Sequence, residues 1–175
     1  MERASDRWPL IGQALGCAGT AMSDQLPGKR PILPPVYFFV AVALMACLHL
    51  LLPGAQLIGT PFRYSGLLLA AAALGLVLWA AGHFRRRGTP IKPFRDASAL
   101  VLEGPYRLTR NPMYVGLVGI LFGLGLLLGS ASPFVVVPVF VVLVDVRFIR
   151  AEEAALHRTF GAAYTDYKAR VRRWV

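Results

Sequence analysis

Acidic residues are scarce in this chain: 9 Asp and Glu stand against 19 Lys and Arg, a formal net charge of +10 over 175 residues. Cysteine is scarcer still, with Cys17 and Cys47 far apart and Cys47 inside an apolar run, so no disulfide framework is expected. The histidines, His49, His83 and His157, show no ligand spacing, and no metal site is expected from them. Charge of both signs is thin, at 16% of residues against 56% hydrophobic. A basic excess raises the question of nucleic acid, but aromatic and basic residues interleave on no polar segment, which argues against it. Long polar stretches are also few. A mean hydropathy of +0.55 then makes lipid the expected solvent for much of a single-domain chain.

What the chain has in abundance is apolar runs. Pro34–Pro53 is nearly uncharged, with His49 as its one notable polar side chain, expected to find a backbone or water partner. Tyr64–Ala81 is rich in Leu and Ala and carries Trp79 as an interface anchor. Met113–Leu128 contains Gly116, Gly119, Gly123 and Gly125, and the Gly119/Gly123 spacing permits close helix approach. Pro133–Val144 is short and spans only if its helix continues through Val146, Phe148 and Ile149. Every Lys and Arg except Arg63 lies in the N-terminal tail, the connection between the second and third runs, or the C-terminal segment. By the positive-inside rule, both termini are expected in the cytoplasm, with four transmembrane helices between them. The expected fold is therefore an all-α membrane protein. Residues 1–33 read as a disordered or interface-lying tail and 34–175 as one membrane domain. From Ala151 onward Glu153, Leu156, Phe160, Tyr164, Tyr167, Val171 and Trp174 recur at helical spacing, with Gly161 as a break point. That amphipathic C-terminal helix either lies on the inner leaflet or folds back over the long loop to close a pocket.

Two polar stretches stand out. Gly104–Gly116 reads GPYRLTRNPMYVG, where Pro105 and Pro112 make two stiff corners and Pro112 suits the first position of a helix. A helix start offers unpaired N–H groups that favour a carboxylate or phosphate. The second stretch holds the adjacent carboxylates Glu152 and Glu153 where the fourth run ends. Ions at such a boundary are costly unless paired, and the plain structural reading pairs Arg150 with Glu153 on one helical turn.

Together, GPYRLTRNPMYVG and the later EEAALHRTFGAAYTDYKARV resemble the integral membrane methyltransferases related to isoprenylcysteine carboxyl methyltransferase and the phospholipid N-methyltransferases. The resemblance implies S-adenosylmethionine as cofactor, a cofactor-binding part over 98–175 and a pocket facing the cytoplasm. It also implies a lipid-like or prenylated small-molecule substrate that enters from the bilayer. Residue by residue, it assigns Ser98, Ala99, Leu100 and Val101 to a cofactor-contacting strip and Tyr106 to the lining of the site. Asn111, Pro112, Met113 and Tyr114 take the place of a His-Pro-x-Tyr segment, and Glu152 that of a cofactor glutamate, with Glu153 the second of the acidic pair. Asn111 stands where the prenylcysteine branch has histidine, and Asn-Pro-Met-Tyr matches the phospholipid branch. Phe148 stands where the prenylcysteine branch has a substrate-binding arginine, flanked by Arg147 and Arg150.

The chemistry of the residues agrees with these assignments. The helix start at Pro112, with Arg107 or Arg110, suits the cofactor's carboxylate, and Glu152 and Glu153 suit its positive groups. Methyl transfer from a sulfonium needs no acid for the leaving group, so alignment and exclusion of water dominate. A carboxylate nucleophile requires positioning by Arg147 or Arg150. An amine arrives unprotonated, or gives its proton to Glu153 or a water. Two rival classes are a nicotinamide-dependent membrane reductase of the steroid-reductase type and a non-enzymatic small membrane protein.

Overall fold

The computed structural model describes residues 33–86 and 100–175. Residues 1–32 of the expected 1–33 tail, and Ser98 and Ala99, lie outside the described residues. The elements are α1 (Pro34–Leu51), α2 (Ser65–Arg86), α3 (Pro112–Leu128), α4 (Val136–Val144), α5 (Arg150–Phe160) and α6 (Ala162–Arg170), with a π-helical turn, Asp145–Ile149, joining α4 to α5. No strand occurs among the described residues, only an isolated bridge between Gln56 and Ser130. The fold is all-α, as the apolar runs require.

Among the described residues, three stretches are long and apolar enough to cross a membrane: Pro34–Leu51, Phe62–His83 and Ser132–Phe160, the last holding 29 residues without a break. Pro112–Leu128 is a shorter apolar helix of 17 residues, which rises about 25 Å at 1.5 Å per residue. Only 17% of each of the first two spans is buried within the protein, and Leu50, Leu51, Leu68 and Leu78 stand out from it. With every backbone group of a helix satisfied internally, such surfaces are stable in hydrocarbon.

Small residues hold α2 to α3. A Cβ on Gly123 would lie 2.6 Å from the Gly66 carbonyl and 2.9 Å from the Ala70 nitrogen, and one on Gly119 would lie 2.8 Å from Ala73 Cβ. The two backbones pack directly, which is how helices associate where apolar burial gives no drive. On the other side of α3, a core forms from Met45 of α1, Leu121 of α3, and Phe140, Val144, Phe148 and Ile149 of the long helix.

The structure departs from the sequence reading in three places. The second span outruns its apolar segment and continues to Arg86, because the first proline after it is Pro90. The amphipathic C-terminal helix breaks at Gly161 as expected, with φ +49°, and resumes at Ala162, but it stops short of the Val171/Trp174 end of its apolar stripe. Val171 is extended, at φ −124° and ψ 132°, and the carbonyls beyond it bond to a distant loop instead of a helical turn. Finally, Arg150 pairs with Asp145 at 3.0 Å, not with Glu153.

Candidate functional site

The site forms where the N-terminus of α3 meets the junction of α4 and α5. Its loop begins with Gly104 at φ +62°, where a Cβ would sit 2.6 Å from His83 Nε2. Glycine alone allows α2 and this loop to meet so closely. A short 3-10 turn, Gly104–Arg107, follows, and buried Pro105 and Pro112 fix the two corners. Tyr106 packs with Ala80, Val101 and Met113. Burial, then the neighbouring Tyr167 and Glu152, push the Tyr106 hydroxyl above its ordinary pKa.

The adjacent carboxylates do different things. Successive helical residues point about 100° apart, and Glu152 faces α3 while Glu153 faces the end of the chain. Tyr114 donates its hydroxyl to Glu152 Oε1 at 2.8 Å. Among the described residues Glu152 has no cationic partner. Glu153 is buried and held on both oxygens: Arg173 Nη2 reaches Oε2 at 2.7 Å, while Arg173 Nε and Arg110 Nη1 each reach Oε1 at 3.1 Å. Arg173 also bonds Asp145 at 3.3 Å. Hydrogen bonding to the Glu153 carboxylate is the largest cause of a raised Arg173 pKa, so the guanidinium stays charged.

The π turn contributes to this arrangement. It widens the helix by one residue just before the acidic pair, and turns of this kind recur at functional sites. α6 closes the loop from the opposite side, with the Tyr167 hydroxyl donating to the Tyr106 carbonyl at 2.7 Å. Of the two alternatives for the C-terminal segment, this is the folding back over the loop.

Tyr106, Met113, Tyr114 and Glu152 are therefore neighbours, with Val101 beneath and Asn111 and Pro112 leading into them. Asn111 gives no side-chain cap to α3; its Nδ2 donates instead to the Arg173 carbonyl at 3.0 Å. Leu100 is half-buried at the edge of the described loop, and Arg107 is exposed. Arg147 and Arg150 point elsewhere. Arg147 is exposed beside an apolar groove of about 670 Å³ walled by Tyr37 of α1 and by Pro138, Val142 and Val146. Arg150, with Arg110, Asp145, Arg173 and Trp174, lines a second cavity of about 520 Å³ against the valines of α4. Among the described residues no group of His, Cys, Asp and Glu is placed to hold a metal.

Sequence reasoning missed Thr109, Asp145 and Arg173. Thr109 lies within the singled-out loop, and Asp145 is a lone acid at the end of an apolar run. Arg173 carries no signal, being one of several arginines in a basic tail.

The family model described as phospholipid methyltransferase matches residues 62–163, more than half the chain. An uncharacterized protein of Haemophilus influenzae is 36% identical over 63 residues, which cover 36% of this chain and 100% of that protein. No solved structure matches. The matched segment contains the Gly104 loop, α3, the π turn and both glutamates, and the chain belongs to the phospholipid methyltransferase family of membrane methyltransferases.

Proposed function

We propose that the protein transfers a methyl group from S-adenosylmethionine to a lipid-like nucleophile at the cytoplasmic face of a membrane. The observation that carries this reading is Glu152, a carboxylate whose partner is the neutral hydroxyl of Tyr114. An anion so placed suits a cationic ligand, and a sulfonium amino acid carries two positive groups. Arg110 Nε supports the fit, being a buried donor with no partner among the described residues. With the start of α3, it offers positive potential to a carboxylate. Tyr106 and Tyr114 supply aromatic surface. The match to a methyltransferase family favours this reading over a nicotinamide-dependent reductase.

In this reading Glu152 and Tyr114 hold the cationic part of the cofactor, and Tyr106, Met113 and Val101 bound it. The bound cofactor supplies a methyl group activated by its sulfonium. The chain's own contribution is alignment and exclusion of water, since no leaving-group acid is required. Glu153, neutralised by Arg110 and Arg173, serves better as a latch than as the base expected from sequence. The apolar groove between α1 and α4 supports approach of the substrate from lipid, and Arg147 at its rim supports positioning of an anionic group there. Both termini are assigned to the cytoplasm from the distribution of arginine and lysine.

Calorimetric titration of S-adenosylhomocysteine into detergent-purified wild type and Glu152→Gln tests the reading. Loss of a charge-assisted bond worth about 1.5–3 kcal/mol weakens binding by roughly tenfold to a hundredfold, with melting little changed. Equal affinity in the two proteins refutes the role of Glu152.

A further inference from the structure

We propose that Val171–Trp174 is a positioning strap for the site, with Arg173 as its latch. The proposal rests on the cofactor reading above. Three consecutive residues of the loop before α3 bond to two consecutive strap carbonyls. Arg110 N donates to Arg172 O at 2.9 Å, and Thr109 Oγ1 and Asn111 Nδ2 both donate to Arg173 O at 3.0 Å. The Arg173 guanidinium meanwhile grips the long helix, forking onto Glu153 and reaching Asp145. Trp174 packs against the core that contains Tyr114, Phe148 and Ile149.

One residue thus holds both halves of the site, the loop by its carbonyl and the helix by its side chain. The points it holds flank the Tyr114–Glu152 pair: Asn111 lies just before the turn that carries Tyr114, and Glu153 is next to Glu152. The loop has no ladder of its own over this stretch, and Asn111 adopts φ −129°, outside the helix it precedes. Its register against α5 is set by the strap and by the Arg110–Glu153 pair. Forked arginine–carboxylate bonds fix direction as well as distance, which a positioning contact needs. Arg173 touches neither Glu152 nor Tyr114 in any bond, so its influence runs through Glu153 and Asn111. The strap also lies beyond the residues that the family model matches.

The test is titration of S-adenosylhomocysteine into wild type, Arg173→Ala, Arg173→Lys and Thr109→Val in detergent, each with a melting curve. Released from its latch, the loop loses alignment, and Arg173→Ala weakens binding by about tenfold or more. Arg173→Lys, which restores one ion pair, falls between it and wild type. Thr109→Val keeps shape while losing its bond to the strap carbonyl, together with the one its hydroxyl accepts from Asn111 N at 3.2 Å, and weakens binding by roughly threefold. Combining Thr109→Val with Arg173→Ala costs less than the product of the two, because the carbonyl contact and the guanidinium contacts belong to one residue and secure the same loop. A merely structural strap lowers the melting temperature and leaves the affinity of folded protein unchanged, which overturns the proposal. If Arg173→Ala does not fold, unchanged affinity in Thr109→Val overturns it equally. Wild type that fails to bind refutes the cofactor reading along with this one. Wild type that binds, with variants that bind as well, refutes the strap alone.

Discussion

The two polar ends of the helical bundle are built on different principles. At the turn after α3, His49 Nδ1 meets Ser130 Oγ at 2.7 Å, Arg63 Nε donates to the Leu127 carbonyl at 3.0 Å, and Ser132 Oγ donates to the Leu48 carbonyl at 3.2 Å. The Gly129 carbonyl accepts from both Leu57 and Ile58. The acceptors there are mostly main-chain carbonyls, none of these bonds involves a carboxylate, and they serve to close a turn. At the other end, Arg110, Arg173, Asp145 and Glu153 form one ionic chain between distant parts of the sequence. Beside it, Glu152 has the neutral hydroxyl of Tyr114 as its partner. A turn needs its polar groups satisfied and nothing more. At the ionic end the other charges stand in fixed pairs, and among the described residues one carboxylate is left without a cationic partner, an arrangement that suits the cationic ligand proposed here.

The sharpest way to break this contrast is Glu153→Ala. It leaves two arginines facing each other without their shared carboxylate, and removing one partner of a buried ion pair costs about 3–5 kcal/mol. Chemical unfolding in detergent measures it. A loss as small as that of Glu152→Gln would show that the two glutamates are equivalent, contrary to their surroundings.

A second effect is confined to the ionic end and to alkaline solution. Burial pushes the Tyr167 hydroxyl up to about 12, with Arg110 opposing the rise. A pKa raised by folding means that the folded state favours the protonated hydroxyl. The stability this gives is present in full below the ordinary tyrosine pKa and is lost as pH rises through about 12. Between those values α6 should loosen from the Tyr106 carbonyl, and Tyr167→Phe should remove that component of the alkaline transition. Fluorescence-detected unfolding across pH ~9–12.5, from about one unit below the ordinary tyrosine value to about half a unit above the raised one, reads it, and identical alkaline curves would exclude the assignment.

The smallest expected effect is at the turn after α3. Ser130→Ala removes one hydrogen bond, worth about 0.5–1.5 kcal/mol, and should leave S-adenosylhomocysteine affinity untouched. A change in that affinity would show that the two ends communicate, and the contrast drawn above would fail.

Much of this architecture is legible in sequence because it rests on local pattern. Four apolar runs give four apolar helical stretches, Pro112 marks the start of α3, and Gly161 breaks the last helix. The close seam of α2 and α3 follows from Gly119 and Gly123. The family resemblance assigned Glu152 and Glu153 different roles, but residue chemistry and spacing alone did not separate them. They are adjacent and chemically alike, and only the direction each takes around the helix distinguishes a carboxylate with a hydroxyl partner from one held by two arginines. Arg173 was hidden for a related reason. The stripe through Tyr164, Tyr167, Val171 and Trp174 continues a helical period, whereas the chain leaves the helix at Val171 because loop donors from Arg110, Thr109 and Asn111 take its carbonyls. Such long-range competition leaves no trace in periodicity.

The π turn at Asp145–Ile149 lets a single continuous helix obey two masters. Upstream, the valines of α4 must keep one rotational phase against lipid and α1; downstream, the glutamates must keep another against α3 and the strap. A regular helix ties those phases together, since each residue turns it by about 100°. The extra residue supplies slack between them, in the way a one-residue insertion is absorbed by a widened turn. Deleting Val146 should therefore tighten the turn to ordinary α-helix and leave both faces where they are, whereas deleting a residue within α5 would rotate everything after it. The membrane half of this helix can thus drift in sequence and phase without disturbing the carboxylate that the other half presents.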